Sequence, residues 1–479
     1  MIPAFIKTQE RPLDLPVVYI TGKDTDLSGY SFTTAEFEYI RRQLKADKKT
    51  IHINSYFKWS YLLLPDEEST ITELKEGMRR QASRLYSTLK ENEHEELLVV
   101  DAAGQPGWVR AFLEGLTLSH YQFLNHKPDA QDQQNKLRQV QVLSQGITED
   151  ELEQMQTLCQ AVFYARDLVN EPLSSLNAEQ LSHAFQRMAG EAGFSIEVFN
   201  KKKIESLKMY GLLAVNKGSV DPPSFSVMEW KPDQPRNSKP IVLVGKGIVY
   251  DTGGLSLKPT SGMLDMKADM AGAAVVAGVI YAAAKNRLPL HLIALAPATD
   301  NRPGGNAYTP GDVITMHNEK TVEVVNTDAE GRMILADALS FARQYNPEMV
   351  FDFATLTGSA SVVAGPHGLV IMGNASKETF ARLEESGMNT YERVIPLPLW
   401  KEYGEMIKSD IADIKNAGGR DAGAITAGKF LEHFTDYPWV HFDIAPVAYL
   451  EKADSYRGKG GTGIGVRLVY DYLSHYMST

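Results

Sequence analysis

Cysteine is almost absent from this sequence of 479 residues, in which Cys159 is the single example. One cysteine excludes both an internal disulfide and a zinc site built on cysteine ligands. The scarcity suits a reducing compartment. The first eleven residues also lack the basic segment and apolar stretch of a secretory signal. We therefore expect a cytoplasmic protein.

The sequence also has fewer basic than acidic residues. The 49 Lys and Arg residues are outnumbered by 60 Asp and Glu residues, which gives a formal net charge of −11. This balance argues against a general nucleic-acid-binding protein and against binding to an anionic membrane, because both need a basic face. The longest nearly apolar run, Ala271 to Ala284, is shorter than the roughly 20 residues of a membrane span. It predicts a buried helix.

Two common hydrolase motifs are missing as well. The sequence contains neither HExxH nor GxSxG, so it lacks the core residues of helix-borne zinc peptidases and of serine hydrolases. What it does contain is 43% hydrophobic and 23% charged residues. That composition is typical of a globular protein with a large core.

The pattern of apolar stretches predicts an α/β fold. In the second part of the chain, predicted strands alternate with predicted helices, and this favours a mostly parallel central sheet flanked by helices. The predicted strands are Pro240–Gly245, His291–Ala296, Val322–Val325 and Met349–Ala354, and the clearest helix is Met266–Ala284.

The chain divides into two predicted domains. Thr148 and Glu151 have the spacing of a capping box, so a helix is expected to begin there and to run to about Val169, ending before Asn170-Glu171-Pro172. We predict a smaller α/β N-terminal domain over residues 1–148, a connecting helix over 149–170 and a larger catalytic domain over 171–479.

Charged side chains follow the ends of two predicted strands, and ligands of parallel sheets bind beyond such ends. Converging carboxylates would raise one another's pKa unless cations lay between them. Two divalent ions bridged by carboxylates would remove that repulsion and could activate a water molecule. Oxygen ligands suit magnesium, manganese or, less typically, zinc. The residues at the two strand ends are Lys246, Asp251, Lys258, Asp328, Glu330 and Arg332, and a predicted helix start supplies Asp269.

Taken one at a time, these residues have simpler interpretations. Acidic residues at the start of a helix complement its dipole, and lysines are most often solvated on the surface. Only the combination beside glycine-rich strand ends favours a site. The spacing alone leaves both interpretations open.

Four ordered motifs carry a resemblance to a known family. The segment Asn326–Arg332 reads NTDAEGR, Asp251–Ser256 reads DTGGLS, Met266–Met270 reads MKADM, and Ala354–Gly358 reads ATLTG. On these motifs the sequence resembles the leucine aminopeptidase family of cytosolic, two-metal exopeptidases. The resemblance extends from about Ala165 to the C-terminus. Further matching segments are Val244–Gly247, Lys258–Pro259, Asp413–Asn416, Ala424–Ala427, His441–Ala445 and Thr462–Gly463.

The resemblance implies two divalent metal ions per subunit, manganese or zinc. The ligands of the tighter ion would be Lys246, Asp251, Asp269 and Glu330. Those of the more exchangeable ion would be Asp251, Asp328 and Glu330, so that Asp251 and Glu330 bridge the two. A lysine ligand must be a neutral amine, and a neighbouring dication favours that form by lowering the lysine pKa.

The resemblance also implies catalytic and substrate-binding roles. Lys258 would stabilise the oxyanion of the tetrahedral intermediate, and Arg332 would hold a bicarbonate ion as the proton-transfer base, with the amides of Gly331 and Leu356 completing the anion cradle. Asp269 would bind the free N-terminus of the substrate. The pocket for the first side chain would be formed by Met266, Thr355 and Gly358.

The implied function is removal of the N-terminal residue, preferably leucine or another apolar residue, from short peptides by a water that bridges the two metals. The family resemblance further implies a homohexamer. Two alternatives stay open: a nucleic-acid-binding or regulatory protein on the same scaffold, and a two-metal hydrolase of another amide or ester.

Overall fold

The computed structural model describes residues 2–12, 14–56, 58–65 and 70–476. It divides into two compact units, the first comprising Met1–Gln160 and Ala453–Gly458 and the second Ala161–Lys452 and Lys459–Thr479. The division falls within one long helix, Glu149–Asn170, which coincides closely with the predicted connecting helix. The domain limits at 148 and 170 stay predictions. Met1 and residues 477–479 of the predicted domains lie outside the described residues.

The first unit is built on a six-stranded sheet with the order β1-β6-β5-β2-β4-β3. Its strands are parallel except for β3, which is antiparallel to β4. Apolar side chains on both faces of the sheet are buried under helices, as expected for a parallel sheet. The elements are β1 (Ala4–Lys7), β2 (Val17–Ile20), α1 (Thr34–Lys45), β3 (Thr50–Asn54), β4 (Trp59–Leu63), α2 (Ile71–Glu91), β5 (Glu96–Asp101), α3 (Pro106–Ser119), β6 (Gln139–Leu143) and α4 (Glu149–Asn170).

A short segment from far along the chain completes the first unit. Ala453–Gly458 belongs to it, and the hydroxyl of Tyr456 donates to Oε2 of Glu76 at 2.9 Å. Arg80 donates to the other oxygen of Glu76 at 2.7 Å and lies 3.4 Å from Asp454. Glu76 is buried, and these two partners offset the cost of removing its charge from water.

The second unit contains the remaining elements. They are α5 (Ala178–Ala192), β7 (Ser195–Phe199), α6 (Lys201–Ser206), α7 (Tyr210–Asn216), β8 (Ser224–Trp230), β9 (Ile241–Gly245), β10 (Gly247–Asp251), α8 (Ala271–Lys285), β11 (Leu292–Asn301), β12 (Val313–Thr315), β13 (Thr321–Glu323), α9 (Glu330–Ala342), β14 (Met349–Ala354), α10 (Gly358–Ala364), β15 (Leu369–Gly373), α11 (Lys377–Thr390), β16 (Val394–Pro396), α12 (Glu402–Glu405), β17 (Ile414–Lys415), α13 (Gly423–Glu432), β18 (Trp439–Asp443), β19 (Tyr449–Leu450), β20 (Gly460–Gly461) and α14 (Val466–Ser474).

The main sheet of the second unit has the order β16-β15-β18-β14-β9-β11-β8-β7, with β10 paired to β11. Its central strands β18, β14, β9 and β11 are parallel, whereas β7 and β8 are antiparallel to their neighbours. β15 is antiparallel to β18 but parallel to β16. The predicted α/β class and the mostly parallel central sheet are therefore confirmed. The strand predicted over Met349–Ala354 is β14, with the same bounds.

One predicted strand is wrong in its length and in its place. Val322–Val325 was predicted as a strand of the central sheet, but β13 ends at Glu323 and belongs to a separate three-stranded sheet with β12 and β17. Beyond Glu323 the backbone turns to other partners, because Val324 N donates to Asp312 and Val325 N donates to the side chain of Asn416. A run of β-branched residues indicates a strand without showing which sheet it joins.

The apolar helix at the centre of the second unit is buried. The predicted helix over Met266–Ala284 begins as a 3₁₀ turn over Met266–Met270 and continues as α8, in which every residue from Ala271 to Ala284 is buried. By length and composition Met266–Lys285 could span a membrane, but 89% of its most apolar stretch lies inside the protein. That degree of burial is what a core helix shows.

Candidate metal centre

The charged residues of the site collect at one edge of the central sheet. Lys246 directly follows β9, and Asp251 is the last residue of β10. β9, β11 and β14 are mutually parallel, and β10 is parallel to β11, so their carboxyl ends point to the same side. This is the edge at which ligands of parallel sheets bind.

Lys246 occupies the floor of the site and is only 2% exposed. Its Nζ lies 2.7 Å from Oδ1 of Asp269 and 2.9 Å from Oε1 of Glu330, and it donates to the carbonyl of Thr355 at 3.1 Å. Burial alone would lower the pKa of Lys246, but the carboxylates of Asp269, Glu330 and Asp251 raise it above its usual value. The amine is therefore held in its charged form by its neighbours.

Gly331 provides the space that Lys246 occupies. A Cβ at this position would lie 2.5 Å from Cε of Lys246, a separation that real Cβ atoms do not adopt. Gly331 is buried and is not among the residues that line the cavity. Its predicted part in an anion cradle stays a prediction.

Lys258 bridges two carboxylates on the open side of the site. Its Nζ lies 2.9 Å from Oδ2 of Asp251 and 2.5 Å from Oδ1 of Asp328. The side chain of Lys258 is 18% exposed, in contrast to 3% for that of Lys246. Burial lowers the pKa of Lys258, but Asp251, Glu330 and Asp328 together raise it above its ordinary value. A charged lysine therefore faces the cavity.

Three carboxylates converge closely enough to share a metal ion. One oxygen each from Asp251, Asp328 and Glu330 lies within 4.8 Å of the others. Burial, followed by the charges of neighbouring carboxylates, raises the pKa of both Asp328 and Glu330. This repulsion is the one expected from the sequence, and a dication would relieve it.

Two buried oxygens at the centre support the same interpretation. Oδ2 of Asp269 and Oε2 of Glu330 have no hydrogen-bond partner in the part of the chain that the structure describes. Burial is the main cause of a raised pKa at Asp269 as well, opposed by Lys246. Buried anionic oxygens without donors are costly unless a cation binds them. The donor set therefore fits divalent metal ions, with Lys246 fitting only as a neutral amine.

The NTDAEGR segment is held in place chiefly by polar side chains. Thr327 donates through Oγ1 to the carbonyl of Gly253 at 2.7 Å and accepts from the amide of Ser256 at 2.8 Å. Asn416, which is fully buried, accepts from the amides of Val325 and Asn326 at 2.9 and 3.2 Å. The segment is thus tied to the DTGGLS loop on one side and to Asn416 on the other.

Helix α9 begins within this segment. Asp328 and Ala329 precede the helix, whereas Glu330 is its first residue. The sequence spacing predicts that the whole Asp-Ala-Glu stretch lies before the helix, which is correct for Asp328 and Ala329 but wrong for Glu330. Asp328 and Glu330 reach the same cluster because the backbone changes conformation between them, with Ala329 at φ −108° and ψ 39°.

Arg332 is the third residue of helix α9, two residues after Glu330, and it is buried. Its Nη1 donates to the carbonyl of Asn416 at 2.7 Å, while its Nε has no hydrogen-bond partner among the described residues. Burial lowers the pKa of Arg332 to about 10, an effect opposed by Glu330 and Asp443. A buried guanidinium with an unused donor is suited to hold a small anion.

The loop after β14 forms another wall. Thr355 donates to Oδ1 of Asp269 at 2.8 Å. The amide of Leu356, predicted to complete an anion cradle, instead donates to Oδ1 of the buried Asp443 at 3.1 Å, and the hydroxyl of Thr357 donates to Oδ2 at 2.7 Å. Leu356 lines the cavity, but in this arrangement its N–H already has a carboxylate partner.

A cavity of about 500 Å³ opens above these groups. Its size suits a small ligand such as a short peptide. Of the twelve site residues predicted from sequence, all except Gly331 line it. These eleven are Lys246, Asp251, Lys258, Met266, Asp269, Asp328, Glu330, Arg332, Thr355, Leu356 and Gly358.

Sequence reasoning missed the polar residues that support the ligands. Asn301 donates to Asp251, Asn416 holds the NTDAEGR segment, and Tyr308 donates to the carbonyl of Thr327 at 2.8 Å. Asn301 is the last residue of β11, so the strand-end rule could have indicated it if the strand had been predicted to its full length. Nothing in the local sequence around Tyr308 points to this role.

Comparison with known proteins gives consistent results. The model of the cytosol aminopeptidase family, catalytic domain, matches residues 163–470. A relative named "Probable cytosol aminopeptidase" from Chlorobaculum parvum is 53% identical over 313 residues, which is 64% of this chain and 61% of that protein. The matched region thus spans less than two thirds of that relative.

Two solved structures resemble nearly the whole chain. The cytosol aminopeptidase from Coxiella burnetii is 27% identical with a TM-score of 0.83 and 99% coverage of both chains. The bottromycin maturation enzyme BotP in complex with Mn is 27% identical with a TM-score of 0.84, covering 96% of this chain and 99% of that one. The similarity of fold therefore extends over both units.

Proposed function

This chain belongs to the cytosol aminopeptidase family, and on that premise we propose that it is a metal-dependent aminopeptidase. Its substrates are short peptides with a free N-terminus, and leucine or another apolar residue is the preferred first residue. The observation that carries the proposal is the convergence of Asp251, Asp328 and Glu330 within 4.8 Å beside an unused oxygen of Asp269.

Two divalent ions, manganese or zinc, would be held by residues of this cluster. The tighter site would use Lys246, Asp251, Asp269 and Glu330, and the more exchangeable site Asp251, Asp328 and Glu330. When bound, the ions supply Lewis-acid activation of water and of the peptide carbonyl. BotP is described in complex with Mn, which is compatible with manganese here.

Lys258 is the residue that we assign to the oxyanion. Its charged Nζ faces the cavity from between two carboxylates, and a preorganised cation stabilises negative charge that develops on the carbonyl oxygen. Arg332 would hold a bicarbonate ion as the base, since its Nε has no partner among the residues described. Among the described residues that line the cavity, the other cations, Lys246 and Lys258, are already paired with carboxylates.

Asp269 would bind the free N-terminus of the substrate. Its Oδ2 is buried, lacks a partner within the described chain and lies in the cavity wall, so it can accept a hydrogen bond from the substrate amine. An amine bound there would hold the first peptide bond beside the carboxylates that would bind the metals, and this would restrict cleavage to one residue. Met266, Thr355 and Gly358 would surround the first side chain.

A peptide panel with chelation tests this function. We expect leucine release from leucyl amide to cease after exhaustive chelation and to return with manganese or zinc. The N-acetylated amide should not be cleaved. Activity that survives metal removal would rule out the metal mechanism, whereas cleavage of the acetylated compound would favour a hydrolase of another class.

We also propose a homohexamer in the cytoplasm. The support is the family membership and the word "cytosol" in the names of the relatives. Light scattering should give a particle six times the 53.1 kDa mass of one chain. A monomeric mass at assay concentrations would refute the hexamer and leave the chemistry of the site untouched.

A further inference from the structure

We infer that Asn301 is a positioning residue that fixes which oxygen of Asp251 is offered to the metals. The inference rests on the proposed function, because it concerns the ligand that would bridge the two ions. Asn301 is 1% exposed and ends strand β11, next to β10, whose last residue is Asp251. Its side-chain amide contacts Asp251 and the backbone just before Asp328.

The amide nitrogen of Asn301 joins the two loops of the metal centre. Nδ2 donates to Oδ1 of Asp251 at 2.8 Å and to the carbonyl of Thr327 at 3.0 Å. A side-chain amide has two N–H groups, so both are used. One nitrogen therefore sets the separation between Asp251 and the residue that directly precedes Asp328.

The two carboxylate oxygens of Asp251 have different polar partners. Oδ1 accepts from Asn301 and from the amide of Gly253, both at 2.8 Å, which engages its two lone pairs. Among the described residues, the polar partner of Oδ2 is the flexible amine of Lys258, at 2.9 Å. Asn301 thus holds the carboxylate with Oδ2 turned toward the cluster.

The backbone at Gly254 leaves room for the side-chain amide of Asn301. Oδ1 of Asn301 has no hydrogen-bond partner within the described residues, and a Cβ at Gly254 would lie 2.8 Å from it. Gly254 has φ +63°, a conformation that L side chains rarely adopt. A glycine is required here both by the backbone angle and by the position of Asn301.

Asn301→Asp is the direct test, with Asn216→Asp as a matched control. Asn216 is 5% exposed, and its Nδ2 also donates two hydrogen bonds, to Thr299 and to the carbonyl of Asp221, but none to a proposed ligand. Both substitutions replace a buried two-donor amide by a carboxylate. Only the change at Asn301 places that carboxylate against Asp251.

Manganese affinity and thermal stability should separate the two variants. Titration followed by electron paramagnetic resonance of free Mn²⁺ should show binding weakened by about 10–100-fold in Asn301→Asp, the range for residues that orient metal ligands. Asn216→Asp should lower the melting temperature in chelator without changing that affinity. Asn301→Ala, which adds no charge, should also weaken binding.

Three results would overturn the inference. Wild-type affinity in both Asn301 variants would show that the amide does not position Asp251, and equal weakening in Asn216→Asp would show a general effect of buried charge. If the wild-type protein itself binds no manganese, the proposed function fails and the inference falls with it. Tight wild-type binding unaffected by Asn301 removes the inference alone.

Discussion

Two buried glutamates, one in each unit, differ in whether both of their carboxylate oxygens have partners. Glu76 in the first unit has both oxygens engaged, one by Arg80 and the other by Tyr456. Glu330 in the second unit contacts Lys246 through Oε1, while its Oε2 has no partner in the described chain. Both side chains are almost fully buried. A satisfied carboxylate supports the fold, whereas one with an unused buried oxygen is prepared for a ligand.

Glu330→Gln should have the largest effect on function. The amide keeps the size of the side chain but removes the charge that would bridge two cations, so we expect manganese binding to be lost and aminopeptidase activity to fall to the level of the chelated protein. Titration calorimetry with Mn²⁺ and the leucyl amide assay measure both. Glu76→Gln is the control and should bind manganese normally; if it does not, the comparison fails.

Lys258→Ala should reduce kcat while leaving KM nearly unchanged. A donor that acts on the developing oxyanion contributes about 2.7–4 kcal/mol to the transition state, or roughly 10²–10³ in kcat. Steady-state kinetics at saturating manganese measures the division between the two parameters. A change confined to KM would mean that Lys258 only binds substrate.

Asp337 offers a third kind of buried carboxylate, two helical turns beyond Glu330. It accepts from the backbone amides of Leu212 and His317 at 2.9 and 3.0 Å and has no cation partner within the described residues. Burial raises its pKa from 3.8 to about 7, although these amides oppose the rise. The folded protein therefore binds this proton more tightly than the unfolded chain does.

Ionisation of Asp337 should make the protein less stable as the pH rises. The contribution of Asp337 to stability is present below pH 4 and is lost as the pH rises toward 7. Between pH 5 and 7.5 the wild type should lose about 2–3 kcal/mol more of unfolding free energy than Asp337→Asn does. Urea denaturation at the two pH values measures this, and parallel pH profiles would contradict it.

Glu76→Gln should have the smallest effect, and on stability alone. Removing the charge leaves Arg80 with a weaker partner, and hydrogen bonds to charged groups contribute about 1.5–3 kcal/mol. Arg80 is partly exposed, which favours the lower end of that range. Thermal unfolding in chelator should show the loss, while kcat and manganese affinity stay at wild-type values. Loss of metal binding here would remove the contrast with Glu330.

The sequence was most informative where a local pattern determines structure. The capping box at Thr148 and Glu151 forms as predicted, with Thr148 N 2.8 Å from Glu151 Oε2 and Glu151 N 3.2 Å from Thr148 Oγ1. The strand over Met349–Ala354 and the burial of Ala271–Ala284 follow from equally local signals. Such features depend on neighbouring residues in the chain.

Contacts between residues that are far apart in the sequence could not be predicted. Asn301 is 50 residues from Asp251, and Asn416 is 84 residues from Arg332, yet both contacts help to form the site. An asparagine after an apolar stretch is also common in ordinary turns. The strand at Val322 was misplaced for a related reason, since its partners β12 and β17 have too little local pattern to reveal the separate sheet.

The segment Ala453–Gly458, which belongs to the first unit, determines when that unit can be completed during synthesis. Tyr456 emerges from the ribosome 380 residues after its hydrogen-bond partner Glu76. The N-terminal sheet can assemble early, as domains generally do during translation. Its last internal hydrogen bonds must nevertheless wait until nearly the entire polypeptide has been made, so a translation product that ends before Ala453 cannot complete its first unit.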